Sequence, residues 1–203
     1  MNYLFLDIET TPLEINDEYV MRYLMDKKLT DASRSMDPNY SKVIVIGLKY
    51  NNEIKLLTGE ERDILNEFWN IIKENNFTIV THNGYSFDIP FIIVRSIIND
   101  ILISKEININ PWNMSKSNHI DTMLIFSQNT FTNSNLKILA KLNNIHFEDN
   151  GILGKDIERL WKENKLDVIE EHCKNDVEIL EKLFNTKCKT YIENLRKLRF
   201  QNP

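Results

Sequence analysis

The chain has 203 residues, 42% of them hydrophobic and 27% charged, with a formal net charge of -5 at pH 7, values that fit one globular domain over residues 1–203 and exclude little else. No stretch approaches the roughly 20 apolar residues that span a bilayer, and MNYLFLDIET lacks the basic start and cleavage site of a signal peptide, so an intracellular, soluble protein is expected. Cys173 and Cys188 form neither a CxxC pair nor a ladder of spacings, so free thiols are expected.

From the N-terminus, NYLFLDIET reads as a buried strand that stops at Thr-Thr-Pro, where Pro12 cannot continue a ladder. Residues 13–40 hold a short helix around EYVMRYLMDKK and then a polar stretch, an insertion over an edge. SKVIVIGLKY is a second strand, whose unbroken Val43 to Ile46 run suits a central position, and EIKLLT is a third. Thr58 is placed to cap a helix through GEERDILNEFWNIIKENN, where Ile64, Leu65, Phe68, Trp69, Ile71 and Ile72 recur at helical spacing. FTIVTHNG returns to strand and ends in the turn pair Asn83-Gly84, and SFDIPFIIVRSIIND, with Pro90 in its first turn, opens the next helix. Residues 101–118 carry no assignable pattern, and ININPWNMSKSN reads as a surface loop. After HIDTMLIF the chain reads as helical, through NLKILAKLNNI, DIERLWKENK and LDVIEEHCKNDVEILEKLFNTK, with Asn150-Gly151 and Gly154 as breaks. The alternation predicts an α/β fold with a partly antiparallel sheet and a helical C-terminal third.

Three segments carry candidate chemistry. In FLDIETT, strand alternation puts Asp7 and Glu9 on one face, close enough to approach one metal ion. Burying unpaired carboxylates costs several kcal/mol, so they are paired, protonated or cation-bound unless the strand emerges into solvent there. In His82-Asn83-Gly84-x-x-Phe87-Asp88, Asp88 either complements a helix dipole or faces the cavity of Asp7, while Asn83 and Gly84 allow a substrate strand close to the backbone. Phe87 is a core residue or a stacking platform, and His82 a satisfied core histidine or a site residue. In His172-Cys173-Lys174-Asn175-Asp176, the i, i+4 spacing stacks His172 and Asp176 on one helix face, as a solvated pair or as a proton acceptor beside a metal ligand.

Taken in order, FLDIETT, HNGxxFD and HCxNDV resemble the three motifs of the DEDD superfamily of 3′-to-5′ exonucleases, with HNGYSFDIPF and CKNDVEIL most similar to stand-alone relatives of the family B DNA polymerase proofreading domain. The resemblance implies a ribonuclease H-like mixed sheet flanked by helices, and Asp7, Glu9, Asp88 and Asp176 as ligands of two divalent metals, Mg²⁺ or Mn²⁺. Oxygen donors suit these hard cations, whereas zinc would recruit Cys or more His. The polymerase-like branch has tyrosine where this chain has His172, a neutral imidazole able to take a proton from water directly. The implied substrate is nucleic acid with a free 3′ end, DNA favoured, with RNA trimming or an inactive binding or replication-partner module as alternatives. The net negative charge does not oppose this, because acids gathered around cations leave the rest of the chain near neutral, and it predicts weak, salt-sensitive binding. Lys155 is a candidate phosphate contact, Asp121 reads as an N-cap or turn former, and Trp112 and Trp161 are stacking or core residues.

Overall fold

The computed structural model describes residues 2–110, 117–128 and 134–201. Its centre is β1 (Asn2–Pro12), flanked by antiparallel β2 (Ser41–Tyr50) and parallel β4 (Phe77–Thr81), with β3 (Glu53–Thr58) and β5 (His119–Asp121) outside them in the order β3-β2-β1-β4-β5. The expected mixed sheet is therefore present, and β1 and β2 are both interior strands, as their apolar runs imply. A register shift after Glu9, opposite Val45, bends β1 at its acidic end.

Strand pleating sorts the core into two layers. Leu4, Leu6 and Ile8 enter the layer under α3 (Glu61–Glu74) and α4 (Asp88–Ile98), packing with Phe68, Trp69 and Phe91. Phe5, Val80 and Ile120 face the opposite layer, built from α6 (Leu136–Leu142), α8 (Leu166–Leu183) and α9 (Lys189–Gln201), with α7 (Ile157–Lys162) beside it against Ile44 and Val45. Helix spacing in α3 buries all six apolar residues named from the sequence. The insertion after β1 forms α1 (Glu18–Asp26) and the single turn α2 (Asp31–Arg34). A buried network holds its return: Arg95 donates to Pro38 O at 3.0 Å and to both oxygens of Glu61, and Glu61 also accepts from Val43 N.

Two local expectations differ from the structure, and a segment with no expected form takes one. β1 runs through Pro12, which pairs with Ser41, because a proline at a strand end forfeits only one ladder bond. Thr58 does not cap α3; its backbone is engaged in β3 opposite Val45, and the helix begins at Glu61 after Glu60. The segment HIDTMLIF opens with the short strand β5 before α5 (Thr122–Ser127), since Asp121 pairs with Thr81 while its side chain caps the helix. Among the described residues, no helix is long and apolar enough to cross a membrane.

The approach of α8 to the sheet is set by Gly47 on β2. A Cβ there would stand 2.7 Å from Cys173 Sγ and 3.0 Å from Val177 Cγ2, so neither an alanine nor anything larger fits without displacing α8. Gly47→Ala is expected to cost about 1–3 kcal/mol in a denaturant melt, with the helix shifting outward.

Candidate active site

Asp7 and Glu9 alternate with Ile8 on β1 and share the sheet face of Phe5, the face that α8 covers. On α8, His172 and Asp176 lie one turn apart and meet the strand acids: His172 Nε2 is 3.6 Å from Glu9 Oε1 and 3.7 Å from Asp176 Oδ2. Asp88 is the first residue of α4 and 3% exposed; its carboxylate accepts the backbone N–H of Ile8 and its own, which ties it to β1 between Asp7 and Glu9. Asp7, Glu9, His172 and Asp176 line a cleft of about 300 Å³, walled by Phe87, Met123 and Leu136 and by Ser35 and Met36 from the insertion.

The sequence motifs are thus brought together, and their electrostatics follow from crowding. Burial, followed by Glu9, Asp88 and Asp176, pushes the Asp7 carboxyl well above its usual range. Burial, followed by Asp176 and Asp88, does the same to Glu9, against the pull of Lys137. Burial raises Asp88 to about 8 despite its backbone N–H donors. Burial raises Asp176 as well, with His172 and Lys137 opposing the shift. For His172, burial disfavours the imidazolium more strongly than Asp176 favours it, so the ring is neutral at neutral pH.

Polar atoms of the site are also left without hydrogen bonds. Among the described residues, Asp176 Oδ1 and His172 Nδ1 are buried and accept or donate no hydrogen bond. Four crowded carboxylates, with a single ammonium beside Asp176, form a donor set able to hold divalent cations through hard ligands.

That ammonium is Lys137, which sequence reasoning missed. It sits on α6, only 9% exposed along its side chain, with Nζ 3.1 Å from Ile152 O, 3.6 Å from Asp176 Oδ1 and 3.8 Å from Asp149 Oδ1. The available signal was its position next to Leu136 and one turn from Ala140, inside an apolar helical arc where a lysine needs a partner. The position of Cys173 was likewise not foreseen. Both cysteines are free, as expected; both are also buried, and Cys173 Sγ lies 3.6 Å from Asp7 Oδ2.

The remaining candidates are distributed as follows. His82 lines the cleft with both ring nitrogens engaged, Nδ1 with Thr122 Oγ1 at 2.9 Å and Nε2 with Ser134 O at 2.7 Å, so its hydrogen bonds are satisfied within the fold. Asn83 takes a left-handed φ of 74°, and its N–H with those of Tyr85, Met123 and Leu124 converges on the Asp121 carboxylate, which therefore fixes the turn and caps α5. Gly84 has a packing reason of its own, since a Cβ would collide with the Thr81 side chain. Phe87 is half-buried, edge-on to Phe91 and at the cleft wall. Lys155 is exposed on a 3₁₀ turn, Gly154–Asp156, whose Gly154 lines the cleft. Trp161 packs in the layer under Ile44 and Val45 with Lys42 Nζ 5.2 Å from its ring centre, and Trp112 lies outside the described residues.

A family model described as a predicted 3′-5′ exonuclease related to the exonuclease domain of PolB matches residues 33–201, which include Asp88, Lys137, His172 and Asp176; Asp7 and Glu9 precede the matched span. Among solved structures, the family B DNA polymerase from the hyperthermophilic archaeon Pyrobaculum calidifontis shares the fold, with a TM-score of 0.65 at 14% sequence identity. That match covers 92% of this chain and 24% of the polymerase, so the chain corresponds to about a quarter of the polymerase's length. No curated protein matches the chain.

Proposed function

Because this chain belongs to the family of predicted 3′-5′ exonucleases related to the exonuclease domain of PolB, we propose that it hydrolyses the terminal phosphodiester bond at the 3′ end of single-stranded nucleic acid, DNA in preference to RNA, as one domain. The observation that carries the reading is the convergence of Asp7, Glu9, Asp88 and Asp176 beside a neutral, buried His172. Two divalent ions, Mg²⁺ or Mn²⁺, held by those four carboxylates would supply charge neutralisation and an activated water.

The chain's own groups do the rest. His172 accepts the proton of the attacking water at Nε2, the nitrogen facing the carboxylates, and Asp176, one turn along, steadies the imidazolium that forms. Lys137 offsets the negative charge beside Asp176 and keeps that carboxylate in place. Phe87 and Met36 offer apolar walls to the terminal base. Lys155, exposed beside the cleft, is placed to meet a phosphate of the strand behind the terminus.

The test offers 3′-labelled single-stranded DNA, duplex DNA and single-stranded RNA to the full chain with Mg²⁺ or Mn²⁺, with an Asp7→Ala control. Stepwise loss of 3′ nucleotides, fastest on single-stranded DNA and abolished by chelation or in the control, is the expected result. Cleavage that survives both treatments would falsify the metal-dependent assignment, and faster cleavage of RNA would overturn the DNA preference.

A further inference from the structure

The acid pair on β1 does not face oxygen donors alone. Cys173 of α8 is fully buried against Gly47, and its Sγ points at Asp7, 3.6 Å from Oδ2 and 3.7 Å from the backbone O. Ligand atoms of Asp7, Glu9 and Cys173 all lie within 4.8 Å of one another. A zinc ion bonded to one sulfur at about 2.3 Å and one carboxylate oxygen at about 2.0 Å in tetrahedral geometry separates those two atoms by about 3.5 Å. The observed gap between Cys173 Sγ and Asp7 Oδ2 matches that edge without movement of α8. A second observation points the same way: Glu9 is 7% exposed, and its carboxylate makes no hydrogen bond among the described residues.

We propose that Asp7, Glu9 and Cys173 form a mixed oxygen and sulfur site that captures thiophilic divalent ions, Zn²⁺ above all, at the catalytic carboxylates. Hard Mg²⁺ and Mn²⁺ have little use for the sulfur, whereas Zn²⁺, Co²⁺ and Cd²⁺ gain a strong soft ligand from it. Capture replaces the Cys173 S–H bond with a sulfur–metal bond, the proton leaving to solvent and the electron pair remaining on sulfur, so nothing is oxidised or reduced. Asp7 and Glu9 are then committed to an ion seated toward α8 and the sheet. Zinc therefore competes with the ions that support turnover, and the chain senses it through one thiol. This inference rests on reading Asp7 and Glu9 as metal ligands, but its test does not need nuclease activity.

The full chain is titrated with Co²⁺ as a spectroscopic probe, followed by displacement with Zn²⁺. A thiolate-to-cobalt charge-transfer band is expected in the wild type and in Cys188→Ser, where Cys173 is the sole remaining cysteine, and its loss is expected in Cys173→Ser. Calorimetry is expected to show Zn²⁺ affinity falling in Cys173→Ser by more than the roughly 10–100-fold that loss of an outer-shell partner costs, with Mn²⁺ affinity held within a few-fold. If Cys173→Ser does not fold, the presence or absence of the band in Cys188→Ser decides the question. No band in either the wild type or Cys188→Ser, or equal Zn²⁺ affinity with and without the thiol, overturns the site. A missing band beside intact Mg²⁺-dependent cleavage removes this inference alone, and a band in a chain that cleaves nothing removes only the nuclease reading.

Discussion

Replacing Asp88 by asparagine is expected to cut cleavage severely while making the metal-free protein more stable. The loss of turnover is expected to be about 10²–10³-fold, the effect of removing one preorganised electrostatic group from a dry site. The gain in stability follows from linkage. The Asp88 carboxyl is raised to about 8 in the fold, chiefly by burial, against an unfolded value of about 4. Its folded form thus holds a proton that the unfolded chain has released, so its contribution is fully present below about pH 4 and is lost as pH rises through about 8. Metal-free wild type should lose a few kcal/mol of stability between about pH 5 and 9, Asp88→Asn markedly less, and saturating Mn²⁺ should restore the wild type at the high end. Thermal melts across that range, with and without metal, check all three. A wild type whose metal-free stability is flat with pH would mean that Asp88 ionises freely in the fold.

Loss of the His172 imidazole has the second large effect. His172→Ala is expected to lower turnover about 10²–10⁴-fold, the range of a general base, while binding of single-stranded oligonucleotide stays near the wild-type level. The ring is held neutral by burial, so turnover in the wild type should persist below pH 6.5, the ordinary titration range of histidine, before its acid limb falls. Single-turnover rates and binding isotherms measured side by side separate the two quantities. Equal weakening of both would show that His172 positions substrate.

Much of this site was legible in the sequence because its geometry is local. Period two put Asp7 and Glu9 on one face, and the i, i+4 spacing put His172 beside Asp176; in the fold, carboxylate oxygens of Asp7 and Glu9 lie within 4.8 Å of each other and His172 Nε2 lies 3.7 Å from Asp176 Oδ2. What was not legible depends on contacts distant in sequence. Lys137 becomes part of the site only because α6 lies along α8 and brings Nζ to Asp176, and Cys173 meets Asp7 only because Gly47 lets α8 sink toward the sheet. The strand β5 was missed because three residues are too few for an alternation to be read, and its pairing with β4 is the sole reason for its form. Thr58 was misplaced by a local rule: its hydroxyl suits a cap, but ladder pairing with Val45 claimed the backbone first.

The position of β1 has a further consequence. It carries Asp7 and Glu9, and it is hydrogen-bonded on one side to β2 through its acidic end and on the other to β4 through residues 2–5. A segment clamped in this way has no small fluctuation by which it can come loose. Amide protons of β1 bonded into these two ladders should therefore exchange with solvent only when the sheet opens, whereas α1, which buries Leu24 alone, can melt and reform many times in that interval. Proteolytic nicking should accordingly begin in the insertion and leave the acid-bearing strand in place.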